Sequence, residues 1–263
     1  MKNQVIVDDL SFSLEQGQVI SLLGPNGAGK TTVFEMILQH QNPSSGKIEL
    51  QARLTLGYSP QTLQFPNTLL VCEVLHLTRL AMKTESQNLD HLCEQFDVKK
   101  ILNQRIGTLS GGELRKISLI ISFLGNHDVV ILDEPTTGLD SATCDLLWKW
   151  IHLQKSKGIS FLLTTHNAHE IHQMTDQVIL LQKGKVQYQG DLKGLGANIP
   201  FKKISYRLSS EPQMLQHLFT TEIEKTVQQL LSENEIQDLT VEHIPIEVSL
   251  QNSLKKAQSK GKQ

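Results

Sequence analysis

The chain has 263 residues, with Lys+Arg 25 against Asp+Glu 27 and a formal net charge of -2. That length fits one large α/β domain or one domain with a small appendage, and the near-neutral balance excludes a general nucleic-acid binder, which needs a basic excess. Hydrophobic residues make up 39% and mean hydropathy is -0.21, enough for a core, and no apolar run approaches the roughly 20 residues of a membrane-spanning helix.

In chain order, MKNQVIVDDL carries aspartates where a signal peptide would need an apolar stretch. Val19 to Leu23 reads as a buried strand, and Thr32 to Gln39 as a helix. From about residue 65 to Leu124 the periodicity turns helical, with polar breaks at 83–88 and 103–108, and predicts a helical insertion. Its last helix is Glu113 to Leu124. Strands follow at Val129–Leu132, Phe161–Leu163 and Val178–Leu181, with helices at Ala142–Lys157 and Ala168–Met174 between them. Strands alternating with helices predict a mainly parallel sheet covered on both faces. The pattern ends near Gly196. Residues 197–263 read as a small extension with a helix at Glu222–Ser232, a strand-like alternation at Thr240–Ile246 and a basic tail. Cys72, Cys93 and Cys144 form no CxxC pair and fit reduced thiols in a cytosolic protein.

The chemistry concentrates in two places. Gly24, Pro25, Asn26, Gly27, Ala28, Gly29, Lys30 and Thr31, followed by Thr32, fit G-x-x-x-x-G-K-[ST] between a predicted strand and a predicted helix. Glycines let backbone N–H groups converge on phosphate, the helix N-terminus adds positive potential, and Lys30 adds a point charge. Thr31 offers a hydroxyl to Mg²⁺. The second place is the strand Val129–Leu132, which runs into Asp133 and Glu134. These carboxylates fall at the carboxyl edge of the sheet, where ligands bind in open α/β folds. Asp133 is placed to hold Mg²⁺, and Glu134 to polarise a water. Leu109-Ser110-Gly111-Gly112-Glu113 opens another helix with a serine and two glycines, a second anion site. One chain needs one such site for its own nucleotide, so a second suggests closure over a partner's.

Here residues 5–196 strongly resemble the ATP-binding cassette (ABC) ATPases of transporters. The motifs stand in family order: GPNGAGKTT, Gln61 in GYSPQ, LSGGE, VVILDEP, Asp140 in TTGLDS, His166 in LLTTH, and the closing stretch MTDQVILLQKGKVQYQG. The resemblance implies a P-loop α/β core with an N-terminal antiparallel β portion, the helical insertion and the C-terminal extension. It implies that Gln61 reaches metal and attacking water and that Glu134 is the general base. His166 would contact the γ-phosphate. Ser110, Gly111, Gly112 and Glu113 would act in trans on the opposite subunit's ATP, and Asp140 would lie at the dimer seam. The implied cofactors are ATP and Mg²⁺. The implied partners are a second ATPase subunit, the same or different, and a membrane permease on a separate chain. The protein would then be peripheral on the cytoplasmic face.

Some positions depart from the family. The usual adenine-stacking aromatic would fall at Met1 or before, and no aromatic precedes Phe12, which is expected to face the core. Adenine would then be met by apolar contact, with loose base recognition. PNTLLVCEVLHLTRLA and the ELRK after the signature resemble the exporter branch that moves drugs, antibiotics, lipids or polysaccharides, as does EHIPIEVSLQNSL in the extension. An alternative is a soluble ABC ATPase serving iron–sulfur cluster assembly. His166, His169 and His172 repeat at spacing three but miss the zinc-protease pattern, and read as a solvated face. Trp148 and Trp150 point to different faces of their helix, one to the core.

Overall fold

In a computed structural model, the described residues are 5–243 without 63, 166, 199–201, 221 and 234. The elements run β1 Val19–Leu23, α1 Lys30–Ile37, β2 Leu56–Ser59, α2 Val71–Ala81, α3 Ser86–Gln95, α4 Gly111–Phe123, β3 Val129–Asp133, α5 Ser141–Ser156, β4 Ser160–Thr164, α6 Ala168–Met174, β5 Gln177–Gln182, β6 Lys185–Gly190, α7 Leu192–Asn198, β7 Lys202–Leu208, β8 Glu211–Thr220, α8 Ile223–Glu233 and β9 Ile236–His243. The protein is an α/β fold with a mainly parallel sheet and a second, antiparallel sheet.

The first sheet has the order β2-β3-β4-β1-β5-β6. Every pair in it is parallel except β5 with β6. β1 and β4 are buried at every position, because helices cover both faces. That is why these strands read as unbroken apolar runs. One face packs on α4, α5 and the helical insertion, through Ile120, Phe123, Leu147, Trp150 and Phe161. Trp150 stacks on Phe123 at 3.6 Å between ring centroids, so it is the core tryptophan; Trp148 packs at the edge of the same cluster. The other face packs on α1 through Val33 and Phe34, with Phe12 and Leu14 turned toward it.

The insertion is helical as the periodicity predicts: α2, α3, two 3-10 turns at Lys99–Ile101 and Ile106–Thr108, then α4. The antiparallel β structure differs in place from the expectation. Residues 5–18 ahead of β1 form no strand. Asp8 N–H donates to Gly184 O at 2.7 Å, but Asp9 turns to φ 55°, a left-handed conformation that interrupts the extension a ladder needs. The antiparallel pairing lies instead toward the carboxyl side. β6 pairs with β5, and β7 sits between β8 and β9.

α7 completes the cassette by burying Leu195 against Leu23, Val178 and Leu180. The extension has its own small core, in which Leu230 of α8 packs on Ile204 and Tyr206 of β7. Its helix matches the expected one closely. The strand expected near Thr240 begins earlier, at Ile236, and β7 and β8 join it. EHIPIEVSLQNSL from residue 244 onward and the basic tail lie outside the described residues.

Candidate nucleotide site

The site forms where β1, β4 and β3 end together. Register pairs Leu22 with Thr164 and Thr164 with Asp133. Gly24 to Gly29 turn from β1 into α1 at this edge. Gly24 has φ 149°, and a Cβ there would come within 2.2 Å of Leu181 O, so the turn excludes any side chain. Gly29 is the N-cap of α1 at φ 105°, with no side-chain cap. The first N–H groups of α1 are therefore left to the loop, the arrangement that binds phosphate. Lys30 Nζ donates to Gly24 O at 2.6 Å and to Pro25 O at 3.3 Å, which centres its ammonium within the loop. Asn26, Gly27 and Thr31 are exposed; Ala28 and Gly29 are buried; Thr32 and Pro25 lie between.

Asp133 ends β3 and is buried. Its Oδ1 accepts a hydrogen bond from Thr164 Oγ1 at 2.5 Å. The same Thr164 hydroxyl oxygen accepts from Glu134 N–H at 2.9 Å. Glu134 has φ 52°, uncommon for a residue with a side chain and worth about 1 kcal/mol or more of strain. Gln61 follows β2 and is exposed, beside Pro60.

Arg115 joins these segments from α4. It is only 5% exposed. Its Nη2 donates to Asp133 O at 2.6 Å, its Nε to Pro135 O at 3.1 Å and its Nη1 to Pro60 O at 2.5 Å. Burial pushes the guanidinium down to about 10, with Asp133 and Glu134 pulling the other way. Burial, then the charge on Asp133, pushes neighbouring Tyr58 up to about 12.

The signature helix begins with a capping box. Ser110 Oγ accepts from Glu113 N–H at 3.3 Å, and Glu113 Oε2 accepts from Ser110 N–H at 2.8 Å. The Ser110 hydroxyl also donates to Glu113 Oε2 at 2.7 Å, and this bond, then that of the Ser110 N–H, holds the Glu113 carboxyl below its usual range. Gly111 is open. A Cβ on Gly112 would lie 2.6 Å from Gly138 O, so the LSGGE stretch and the TTGLDS loop meet directly. Asp140 caps α5, accepting from Thr143 N–H at 2.8 Å, and these bonds hold its carboxyl low.

His166 lies outside the described residues, but the loop on either side of it is fixed. Buried Glu170 accepts from Thr165 Oγ1 at 2.6 Å, from Asn167 Nδ2 at 3.1 Å and from Thr136 Oγ1. The structure thus gathers Lys30, Asp133, Glu134 and the Gln61 loop at one edge. It sets the signature and Asp140 together on another patch. The sequence did not single out Arg115, Thr164 or Glu170. Arg115 had a readable signal: it shares a buried helix face with Ser118, Leu119 and Ser122, where a charge is unusual. His172 is exposed, and the described residues hold no group of three or more His, Cys, Asp or Glu able to take a metal. Cys144 is partly buried, with its thiol pushed up to about 11, chiefly by burial.

A glycine-rich loop opening a helix, opposite an acidic strand end, defines a P-loop nucleoside triphosphatase. The family profile described as "ABC transporter" matches residues 7–137. The zinc import ATP-binding protein ZnuC of Rickettsia bellii is 33% identical over 180 residues, 68% of this chain and 77% of its own length. The Nod factor export ATP-binding protein I of Ralstonia nicotianae is 33% identical over 201 residues, 71% of this chain and 63% of its own. A solved structure described as an ATP binding subunit of an ABC transporter has a TM-score of 0.69 at 26% identity, covering 75% of this chain and 88% of its own. A dimeric cassette bound to ADP and Pi shares the fold, with a TM-score of 0.65 at 18% identity. The chain belongs to the ATP-binding subunits of the ABC transporter family and is an ABC ATPase.

Proposed function

We propose that this chain hydrolyses MgATP as one of two cassettes that close around two nucleotides. It would drive a permease on a separate membrane chain from the cytoplasmic face, without a nucleic-acid partner. The observation that carries this reading is the common strand edge where the Lys30 loop leaves β1 beside β4 and Thr164 of β4 joins Asp133 to Glu134. Thr31 hydroxyl, Asp133 carboxylate and Gln61 amide are hard oxygen donors suited to Mg²⁺. When bound, Mg²⁺ neutralises charge developing between the β- and γ-phosphates.

The roles divide as follows. N–H groups of the loop from Gly24 to Thr32, Pro25 excepted, bind and orient the phosphates with Lys30. Glu134 polarises the attacking water, while Gln61 and His166 orient it. Ser110, Gly111, Gly112 and Glu113 of one chain meet the γ-phosphate held by the other, with Asp140 at the seam. The contact of Gly112 with Gly138 supports this, since it makes the LSGGE stretch and the TTGLDS loop one patch. Little covalent chemistry is required of the protein, so rate comes from positioning and charge, and closure gates it.

Glu134→Gln is expected to lower steady-state ATP hydrolysis by about 100-fold or more while ATP-bound dimers accumulate on size exclusion. Undiminished turnover would remove Glu134 as the base. Comparable binding of ATP and GTP in a competition titration is expected from apolar contact with the base.

Export is the direction we propose, supported by ELRK after the signature and by the Nod factor export relative. Import is the second reading, favoured by similarity to a zinc import ATP-binding protein. Substrate flux in vesicles carrying the permease that co-purifies with this chain separates the two. Co-purification with a soluble scaffold in place of a permease would favour the iron–sulfur assembly alternative.

A further inference from the structure

We propose that Arg115 is a positioning residue for hydrolysis: one guanidinium holds the backbone ahead of Gln61, Glu134 and Thr136 in catalytic register. The inference rests on the reading of Glu134 and Gln61 given above.

The three acceptors come from three segments, and each directly precedes a residue with a task. Pro60 O precedes Gln61, Asp133 O precedes Glu134, and Pro135 O precedes Thr136, which donates to Glu170 beside the His166 loop. A carbonyl belongs to the peptide plane it shares with the next residue, so fixing it fixes that residue's N–H as well. At Glu134 the plane is held from both sides. Arg115 takes the Asp133 carbonyl and Thr164 takes the Glu134 N–H. This is the peptide leading into the left-handed Glu134, a conformation that persists only where surrounding contacts enforce it.

The chemistry of the group suits this task and suits simple packing poorly. Its described hydrogen bonds all go to backbone carbonyls, so a full charge is buried without a bonded carboxylate, which an apolar side chain would avoid. A planar fork places three separate nitrogens in fixed directions toward carbonyls on three segments, where a lysine ammonium has a single nitrogen to place. Arg115 also stands on α4, whose first turn is the signature. A shift of that helix therefore moves the acidic end of β3 and the Gln61 loop together.

The test compares wild type, Arg115→Lys and Arg115→Gln in full-length protein by ATPase kinetics, thermal melting and amide hydrogen exchange. Arg115→Lys is expected to lower kcat by about 10-fold or more with KM for ATP within about twofold. Exchange in the segment 133–137 should rise while β1 stays protected, with little change in Tm. Unchanged kcat in both variants, or unchanged exchange at 133–137, overturns the proposal. So does a loss of kcat that follows Tm and opens β1 equally in both variants, which would mark a purely structural role. If Glu134→Gln leaves turnover intact, the reading of Glu134 fails, but exchange at 133–137 still reports whether Arg115 holds that peptide.

Discussion

Thr164 shows how much one side chain settles at this site. Its hydroxyl donates to the Asp133 carboxylate and accepts from the Glu134 N–H, so the carboxylate proposed for metal is fixed against the backbone of the residue proposed to polarise water. Glu170 does the same for the loop around His166. A second residue gives a pH dependence. His127 is half-buried, and the hydrogen bond between its Nε2 and Leu124 O at 2.6 Å requires the ring nitrogen to donate. Its Nδ1, an acceptor in that neutral ring, is buried with no hydrogen-bond partner among the described residues. Burial holds the ring below its usual 6.5. As pH falls past that value, the unfolded chain takes up a proton that the native ring refuses. Stability then drops until the depressed native value is reached. From about pH 7.5 to about pH 5.5, Tm of wild type should therefore fall further than Tm of His127→Gln; parallel curves would mean His127 is not the group responsible.

At the scale of the element, α4 carries both a structural and a proposed functional end. Its N-terminus is closed by the reciprocal bonds of Ser110 and Glu113. Ser110→Ala should cost about 1 kcal/mol of stability in urea unfolding. Glu113→Ala should cost a similar amount, and the double variant less than the sum, because the two side chains share one box. Additive losses would show that they act separately. Since the Glu113 carboxyl is held low, this stabilisation is present above its ordinary range and lost as pH falls through the depressed value. The sequence reads Ser110 and the two glycines as an anion site, and the folded helix end adds the S-x-x-E box. Arg115 two residues on shows in sequence only as a charge on an otherwise buried helix face, and its partners appear only where β2, β3 and the loop after β3 converge on it.

For the whole molecule, the cassette and the extension bury separate clusters, one around the six-stranded sheet and one around Ile204, Tyr206 and Leu230. A chain of residues 1–198, which keeps α7 and Leu195, is expected to bind and hydrolyse ATP and to melt within a few degrees of the full chain. Loss of folding in circular dichroism would tie the extension to the cassette's stability. The charge balance that spoke against a nucleic-acid partner fits an ATPase subunit, and no helix among the described residues is long and apolar enough to cross a membrane.

The sequence by itself determined the buried parallel strands, the phosphate loop, the acidic strand end and the family. Each is local: an apolar run, a glycine spacing or a short motif fixes its own backbone. Tertiary structure alone decided where the antiparallel sheet lies, since pairing of β7 with β8 and β9 joins segments whose polar alternation is weak. It alone brought Thr164, Glu170 and Arg115 to the site, because their partners are 18 to 55 residues away in sequence for Arg115 and 30 or more for Thr164, and only the packed sheet edge makes them neighbours.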